Sequence, residues 1–115
     1  MRRGEVWLLN LDPTIGAELR KTRPVIIVND DAIGILPLKV VLPLTDWKDH
    51  YVVAPWMVRL DPDSQNGLTK PSAADSFQVR SVARERFVQR IGTVSDNHLR
   101  QIADALALVL KIRFI

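Results

Sequence analysis

Hydrophobic and polar residues alternate in short segments through residues 1–94, a pattern typical of β-strands with one buried face. Segment 5–11 places Trp7, Leu9 and Leu11 on one face of a first strand. The apolar, β-branched segment 24–28 predicts a second strand that is buried. Further strands are predicted at residues 38–45, 51–60, 73–82 and 87–94.

Proline and turn-forming residues refine this pattern. Pro43 lies inside the third predicted strand and has no N–H group to donate, so we expect this strand at a sheet edge or with a bulge there. Segment 61–71 is rich in Asp, Ser, Asn, Gly and Pro and predicts a loop. In segment 73–82, alternation predicts Phe77 and Val79 on one face and polar side chains on the other.

Residues from Ser95 onward show helical spacing instead. Ser95 predicts the N-cap of a helix that runs to about residue 112, and the helix dipole favours Asp96 in the first turn. The apolar stripe of this helix consists of Leu99, Ile102, Leu106, Val109 and Leu110. Five to seven strands followed by one helix predict a mainly β fold with α: a small, strongly curved antiparallel sheet or barrel with a C-terminal helix.

Length and charge set limits on function. The 115 residues predict one domain over 1–115 with a small margin of stability, and pairing into a homodimer would add to that margin. The chain carries 16 Lys+Arg against 13 Asp+Glu, a net charge of +3. This mildly basic balance permits a nucleic-acid partner without requiring one.

The sequence offers little for a metal site or a membrane. Cysteine is absent, and His50 and His98 lie far apart, so we expect neither a bound transition metal nor a cofactor. The N-terminus lacks a signal-peptide apolar region, and no apolar run approaches the ~18 residues of a membrane helix. We therefore expect a cytoplasmic protein with no membrane partner.

Segment 16–24 is the strongest candidate for a functional site. It combines three cations, one carboxylate and a glycine just before a buried strand: Glu18, Arg20, Lys21 and Arg23 are its charged side chains. A charged side chain at the mouth of such a strand is held by rigid backbone yet faces solvent. From composition alone, a solvated charged loop is the alternative.

Three linked motifs lie within the first 27 residues: Gly4-Glu5-Val6-Trp7, then Asp12-Pro13-Thr14 with Gly16-Ala17-Glu18, and then Thr22-Arg23-Pro24-Val25-Ile26-Ile27. In order and spacing they resemble the N-terminal signature of the MazF/PemK toxin family. Weaker matches to that family follow at Val41-Leu42-Pro43-Leu44-Thr45, Gln78-Val79-Arg80-Ser81-Val82 and Arg90-Ile91-Gly92. The resemblance therefore covers nearly the whole chain.

The resemblance implies a fold, an activity and partners. Proteins of this family are homodimers of a small SH3-like barrel that cut single-stranded mRNA and leave a 2′,3′-cyclic phosphate. A cognate MazE-like antitoxin inhibits them by covering the active face. Transferred to this chain, the catalytic pair would be Arg23 and Thr45, with Glu18 beside them.

Physical chemistry limits the roles of these three residues. Arginine stays protonated at ordinary pH, so Arg23 is expected to stabilise the charge on phosphorus, with proton donation as a second option. Thr45 can donate a hydrogen bond to a phosphate oxygen but is a poor base. Glu18 is therefore expected to act as the general base or to orient Arg23.

Other side chains are candidates for RNA contact because aromatic rings stack bases and cations hold phosphates. The candidate RNA-binding residues are Arg20, Lys21, Trp47, Lys48, Gln78 and Arg80. His50 could shuttle protons, although an isolated loop histidine is more often inert. Some family members carry an acidic residue where this chain has Phe77, and a structural or turn role is favoured for nearby Asp75.

Two other functions fit the same fold. CcdB-type toxins share the barrel and poison DNA gyrase by contact, but they need a C-terminal tail with glycine and tryptophan, which the ending Arg113-Phe114-Ile115 lacks. A catalytically silent SH3-like binding module would bind RNA or peptide and leave RNA intact.

Overall fold

A computed structural model describes residues 1–11, 22–33 and 36–113. Its strands are β1 (Glu5–Asn10), β2 (Thr22–Ile27), β3 (Leu38–Asp46), β4 (Met57–Leu60), β5 (Ser72–Asp75), β6 (Arg80–Ala83) and β7 (Phe87–Thr93). Short 3₁₀ turns occupy Asp49–Val53, Ser76–Gln78 and Arg84–Arg86, and one α-helix, α1, spans Asp96–Leu110. The predicted succession of short strands followed by one helix is confirmed.

The strands form one antiparallel sheet in the order β4-β5-β3-β2-β1-β7, and β6 also pairs with β3. The described part of the molecule measures 37 × 35 × 34 Å, so the sheet is rolled rather than flat. The sheet does not close into a complete barrel, because β4 and β7 are its two ends. The predicted curved sheet with a C-terminal helix is confirmed.

Hydrophobic side chains pack on both faces of the sheet. One cluster lies under α1 and contains Val6, Ile26, Leu42, Leu44 and Ile102, among others. The other cluster consists of Leu9, Leu11, Val25, Ile27, Val41 and Val82, with Met1, Trp7 and Phe87 packed against it. The predicted face of β1, with Trp7, Leu9 and Leu11 on one side, is confirmed.

The prediction of an edge position or a bulge for Pro43 is wrong. β3 is a central strand, with β2 along one edge and β6 and β5 along the other. Pairing with β6 ends at Val41 and pairing with β5 begins at Leu44. Pro43 lies between these two partners, where no N–H donor is needed on that edge, so the sheet tolerates it.

The predicted strand at 51–60 forms only at its end. Residues 49–53 make a 3₁₀ turn, with the Tyr51 N–H donating to the Lys48 carbonyl at 2.9 Å and the Ala54 N–H donating to the Tyr51 carbonyl at 2.9 Å. Pro55 follows this turn, and extended backbone resumes at Met57. Val52 and Val53 made this segment look like a strand in the sequence, but they are 79% and 82% exposed and pair with no strand of the described residues.

The predicted strand at 73–82 is also interrupted. The Asp75 carboxylate accepts a hydrogen bond from the Phe77 N–H at 3.0 Å and caps a 3₁₀ turn over 76–78. The turn reverses the predicted faces: Phe77 is 66% exposed, whereas Ser76 is fully buried. It also lets two separate strands, β5 and β6, pair with different halves of β3.

Helix α1 begins as the sequence predicts. The Ser95 hydroxyl accepts a hydrogen bond from the His98 N–H at 3.2 Å, which confirms the N-cap. The helix buries Ile102 and Ala105, whereas Leu110 of the predicted stripe is 56% exposed, so that part of the stripe is wrong. Across the described residues, none of the helical segments combines the length and apolarity needed to cross a bilayer.

Candidate active site

A groove opens where the sheet splits between β2 and β3. The two strands pair from Ile27↔Val41 to Val25↔Pro43. Beyond that point, residues 22–24 pair with β1 and residues 44–46 pair with β5. The gap between them holds a cavity of about 500 Å³. Its lining consists of Leu8, Thr22, Arg23, Pro24, Leu44, Thr45, Asp46, Gly67, Leu68, Thr69, Lys70, Ser72 and Ile91.

Arg23 and Thr45, taken from the two sides of the split, both line this groove. Arg23 alternates with Val25 and Ile27 along β2, and Thr45 alternates with Val41 along β3. Val25, Ile27 and Val41 belong to the same hydrophobic cluster, so Arg23 and Thr45 project toward the same side of the sheet. Both side chains are half-buried. The structure thus brings together the guanidinium and the hydroxyl that the sequence singled out.

The opposite wall of the groove is a loop that its own side chains brace. Asn66 is fully buried; its amide donates to the Asp61 carbonyl at 2.9 Å and its side-chain oxygen accepts from the Leu68 N–H at 3.0 Å. The Asp63 carboxylate accepts from the N–H groups of Gln65 and Asn66, each at 2.8 Å. These two hydrogen bonds hold the pKa of Asp63 below its usual range. The loop therefore has a fixed shape beside the groove.

Two glycines let this loop pack directly on β7. Gly67 has φ +70°, and a β-carbon there would collide with the Ile91 backbone. A β-carbon on Gly92 would collide with the backbone of Gln65 and Asn66. The loop is further tied to β7 by a hydrogen bond from the Thr93 N–H to the Gln65 carbonyl at 2.8 Å. The position of the groove wall thus depends on backbone contact that a larger residue would prevent.

Charges of both signs line the groove. Arg23 and Lys70 supply the cations, and Asp46 supplies the carboxylate. The Lys70 Nζ lies 3.1 Å from the Asp46 Oδ2, in a pair whose side chains are 63% and 58% exposed. An exposed pair of this kind contributes little stability and separates readily when a charged ligand arrives.

Sequence reasoning missed Asp46 and Lys70. Asp46 directly follows Thr45, and its position on the same strand end was a usable signal. Lys70 lies in a segment full of turn formers, and nothing local marks it. Only the pairing of Asp46 with Ser72 across β3 and β5 brings Lys70 next to Asp46.

Trp47 lies next to the loop that forms the groove wall, just after the end of β3. The Trp47 backbone N–H donates to the Pro71 carbonyl at 3.0 Å, which continues the pairing of β3 with β5 by one residue pair. Its ring contacts the Tyr51 ring edge to face, with centroids 5.7 Å apart, and the Arg59 guanidinium lies 5.1 Å from the ring centroid. Lys48 is exposed beside it.

The remaining candidates lie elsewhere or outside the described residues. Gln78 and Arg80 do not belong to the described groove lining; Arg80 pairs with Val41 on β6. His50 is exposed, and its ring packs on Tyr51 with centroids 4.6 Å apart. Three predicted side chains fall outside the described residues: Glu18, Arg20 and Lys21.

Asp75 has the structural role that the sequence favoured. Its carboxylate is buried and caps the turn at Phe77, and Gln78 donates to it as well. Burial raises the pKa of Asp75 above its usual range in spite of these hydrogen bonds. Within the described ranges, no three histidine, aspartate or glutamate side chains are grouped so that they could hold a metal ion.

A family model described as PemK-like, MazF-like toxin of type II toxin–antitoxin system matches residues 2–110. The chain belongs to this toxin family. Endoribonuclease MazF9 of Mycobacterium tuberculosis is 35% identical to it, over 97% of this chain and 98% of that protein. Endoribonuclease PemK of Escherichia coli is 32% identical, over 96% of this chain and 82% of that protein. The resemblance drawn from the sequence motifs is confirmed.

Solved structures agree on the fold. MazF from Deinococcus radiodurans superposes with a TM-score of 0.81 at 22% identity, over 97% of both chains. A mycobacterial endoribonuclease in complex with its cognate antitoxin superposes with a TM-score of 0.77 at 21% identity, over 100% of this chain and 99% of that chain. At these identities the likeness establishes the architecture, and the predicted MazF-like fold is confirmed.

Proposed function

We propose that this family member is an endoribonuclease toxin that cuts single-stranded RNA, with mRNA as its target, by metal-independent attack of the ribose 2′-hydroxyl. The observation that carries the proposal is the shared groove of Arg23 and Thr45, lined by a second cation, Lys70. The endoribonuclease names of the relatives at 35% and 32% identity support the class of reaction.

The reaction uses a nucleophile that the substrate already carries. The 2′-oxygen forms a bond to the adjacent phosphorus, the bond from phosphorus to the 5′-oxygen breaks, and a 2′,3′-cyclic phosphate and a 5′-hydroxyl result. One proton leaves the 2′-hydroxyl for a base, and one proton reaches the departing 5′-oxygen. The protein must therefore position the strand, move two protons and stabilise negative charge on the phosphate.

Arg23 and Thr45 are suited to the charge that develops on phosphorus. A guanidinium presents a fixed fork of donors to phosphate oxygens, and a half-buried site strengthens that interaction relative to water. Thr45 donates a hydrogen bond to one of the same oxygens. Lys70 adds a second positive charge once it separates from Asp46, so fixed cations of the protein supply what a metal ion supplies in other nucleases.

Two carboxylates compete for the role of the base. Glu18 is the candidate from the sequence and falls outside the described residues. Asp46 is the carboxylate in the described groove lining, one residue from Thr45. Glu18 is retained as the proposed base, with orientation of Arg23 as its alternative role, and a direct comparison of the two carboxylates tests this choice.

The proposed partners follow from the relatives and the surface. Solved relatives include complexes with an antitoxin, which supports inhibition of this chain by a cognate MazE-like antitoxin. Homodimer formation is proposed as well, and light scattering coupled to gel filtration tests it by the mass in solution. Since mRNA is the proposed substrate, the cytoplasm is the proposed site of action.

RNA contact is proposed to extend from the groove across several side chains. The proposed RNA-binding residues are Arg20, Lys21, Trp47, Lys48, Gln78 and Arg80. Trp47 adjoins the groove wall through its hydrogen bond to Pro71, and the exposed Lys48 follows it in the chain. Gln78 and Arg80 lie off the described groove lining, so they would contact RNA further from the cut.

The competing functions make different predictions. A gyrase-poisoning toxin needs no groove of cations and would leave RNA intact while it inhibits DNA supercoiling. A silent binding module would bind RNA and leave it intact. Membership of the PemK-like, MazF-like family favours the nuclease over both.

The test is cleavage of a mixed-sequence RNA by pure protein in EDTA, with chemical mapping of the ends. Discrete cuts with cyclic phosphate and 5′-hydroxyl ends are expected. Arg23→Ala should lower the rate by about 10²–10³-fold, as for the loss of one donor to a developing oxyanion. Arg100→Ala, an exposed arginine on α1, is the matched control and should cut normally. Cleavage that requires magnesium would overturn the proposal.

The same cleavage assay tests which carboxylate is the general base. Glu18→Gln and Asp46→Asn each replace a carboxylate with an amide of nearly equal shape. The carboxylate whose variant keeps the wild-type rate is excluded as the proton acceptor, and loss of the proton acceptor should cost about 10²–10⁴-fold in rate. If Glu18→Gln cleaves RNA as fast as the wild type while Arg23→Ala has lost activity, the proposed role of Glu18 as the general base is wrong.

A further inference from the structure

The side chains beyond Thr45 form an outward-facing row across the three strands β3, β5 and β4. Thr45 pairs with Ala73, and Ala73 pairs with Arg59, so these three side chains project to the same face. The next row, which contains Leu44, Ala74 and Val58, packs in the core beneath α1. Arg59 therefore lies on the same face of the sheet as Thr45, about 10 Å from it across two strand spacings.

Arg59 is held in a fixed position on this face. Its Nε donates to the Asp61 Oδ1 at 2.9 Å, and its guanidinium lies over the Trp47 ring. Tyr51 braces that ring from the side, edge to face. Ala73, the small residue between Thr45 and Arg59, is fully covered. Trp47, Tyr51 and Arg59 together form a surface that is termed here the aromatic platform.

The aromatic platform is not part of the hydrophobic core. The 3₁₀ turn over 49–53, which supplies Tyr51, buries none of its residues. Trp47 and Tyr51 are half-buried, and the Arg59 side chain is 48% exposed. Planar groups that a fold fixes at the surface, beside a groove, are suited to stack on a flat ligand.

The charges around the aromatic platform favour a neutral flat ligand over a phosphate. Arg59 is paired with Asp61 and also lies over the Trp47 ring. Asp49 stands in the same 3₁₀ turn as Tyr51. A guanidinium that already has a carboxylate partner and lies against an aromatic ring has few donors left for a phosphate, whereas stacking of a nucleobase on an aromatic ring or on a guanidinium plane does not need a net charge.

The position of the aromatic platform identifies which base it would hold. Trp47 is two residues beyond Thr45, about 7 Å along an extended strand. When a phosphate lies between Arg23 and Thr45, a neighbouring nucleotide of the same strand reaches that distance. We infer that the aromatic platform of Trp47, Tyr51 and Arg59 is a stacking subsite for a nucleobase that flanks the cut, an inference that rests on the proposed ribonuclease function.

The test removes first the flanking nucleobase of the RNA and then the side chains of the aromatic platform. RNA substrates that contain a mapped cut site carry a single abasic nucleotide at each flanking position, and kcat/KM is measured for each. For the wild-type protein, one position should lose about tenfold when its base is removed. In Trp47→Ala and in Arg59→Met that penalty should vanish, because the base no longer has a surface on which to stack.

Conservative and control variants separate stacking from folding. Trp47→Phe keeps an aromatic face and should keep most of the abasic penalty. Trp56→Ala is the matched control: Trp56 is another tryptophan at the surface, but its ring contacts Phe77, with centroids 5.9 Å apart, and it is not part of the aromatic platform. This control should show the wild-type pattern. If Trp47→Ala does not fold, Arg59→Met and Trp47→Phe decide the outcome.

Binding separates failure of this inference from failure of the proposed function. The same abasic series, with a 2′-deoxy nucleotide at the cut site, is titrated by fluorescence anisotropy. If no RNA is cut, the proposed function fails; the titration then uses one single-stranded RNA with an abasic nucleotide at each position in turn, and an abasic penalty in affinity that disappears in Trp47→Ala still supports a nucleobase-stacking surface. Equal abasic effects in the wild type and in Trp47→Ala at every position, in cleavage and in binding, would overturn the inference.

Discussion

Glu5 shows how the fold controls a single charged residue. Its side chain, 13% exposed, accepts a hydrogen bond from the Trp7 indole at 2.9 Å and lies near the Met1 amine at 3.7 Å and the Arg90 Nε at 3.6 Å. Burial alone would raise the pKa of Glu5, but hydrogen bonds from Trp7 and from the Arg2 backbone, with the two positive charges, lower it below its ordinary value of 4.5. Glu5 thereby links the chain terminus, β1 and β7.

This shift predicts how stability varies with pH. The pKa of Glu5 is lower in the folded protein than in the unfolded chain. The stability that ionised Glu5 contributes is therefore fully present above the unfolded pKa near 4.5, and it is lost as pH falls through the folded-state pKa. Glu5→Gln should cost about 1.5 kcal/mol at about pH 7, and the difference from wild type should shrink toward about pH 3. Urea unfolding at both pH values measures this difference.

The matched control is Glu85→Gln, which changes an exposed glutamate in the 3₁₀ turn at 84–86. It should alter the free energy of unfolding by less than about 0.5 kcal/mol at either pH. A Glu5→Gln deficit that is equally large at both pH values would contradict the role of the Glu5 charge.

At the scale of elements, the loop between β4 and β5 decides the shape of the groove. It has no regular structure, yet Asn66 and Asp63 satisfy its backbone groups from within. Its position against β7 depends on Gly67 and Gly92. A loop that is braced in this way can present Lys70 to the groove as rigidly as a strand would.

Removal of the brace should affect stability and activity together. Asn66→Ala removes a fully buried side chain and leaves the part-buried Asp61 carbonyl and Leu68 N–H without their partner, at a cost of about 2–4 kcal/mol. The groove wall should then loosen, and RNA cleavage should fall even under conditions where the protein stays folded. Urea unfolding and the cleavage assay test the two effects.

The neighbouring variant Gln65→Ala serves as the control for Asn66. The Gln65 side chain is exposed, and only its backbone joins the hydrogen bonds of the loop. It should keep both stability and activity. Stable, fully active Asn66→Ala would show that the loop does not shape the site.

At the scale of the whole molecule, charge is modest and local arrangement carries the electrostatics. A net charge of +3 over 115 residues gives little long-range attraction for RNA. Affinity should therefore depend on the few cations that reach phosphates, each of which releases counterions from the strand. Lys70, in the groove lining, is proposed to be one of these cations.

The salt dependence of binding measures this contribution. For single strands, the slope of log K against log salt changes by about 0.7 for each phosphate contact. Lys70→Met should reduce the slope by about that amount, measured by anisotropy with a strand that carries a 2′-deoxy nucleotide at the cut site. Arg100→Gln removes one positive charge on α1, outside the described groove lining, and should leave the slope unchanged. Equal slopes for Lys70→Met and wild type would exclude a phosphate contact by Lys70.

The sequence by itself determined much of the fold and the core of the candidate site. Alternation identified β1 and β7, the Ser95 cap located the start of α1, and the motifs around Arg23 and Thr45 indicated the family. These features are legible because they depend on local period, on capping and on short motifs. Periodicity shows which side of a strand or helix is buried, and a cap or motif is visible in consecutive residues, so none of them requires knowing which other element packs against the segment.

The tertiary structure decided which strands are neighbours, and with it the rest of the site. Pro43 could lie in a central strand only because β6 and β5 share one edge of β3. The pairing of Lys70 with Asp46 and the row from Thr45 to Arg59 likewise depend on β5, more than 25 residues after Thr45 in the chain. Local pattern cannot specify such pairings, because their free energy comes from contacts that exist only after distant segments have met.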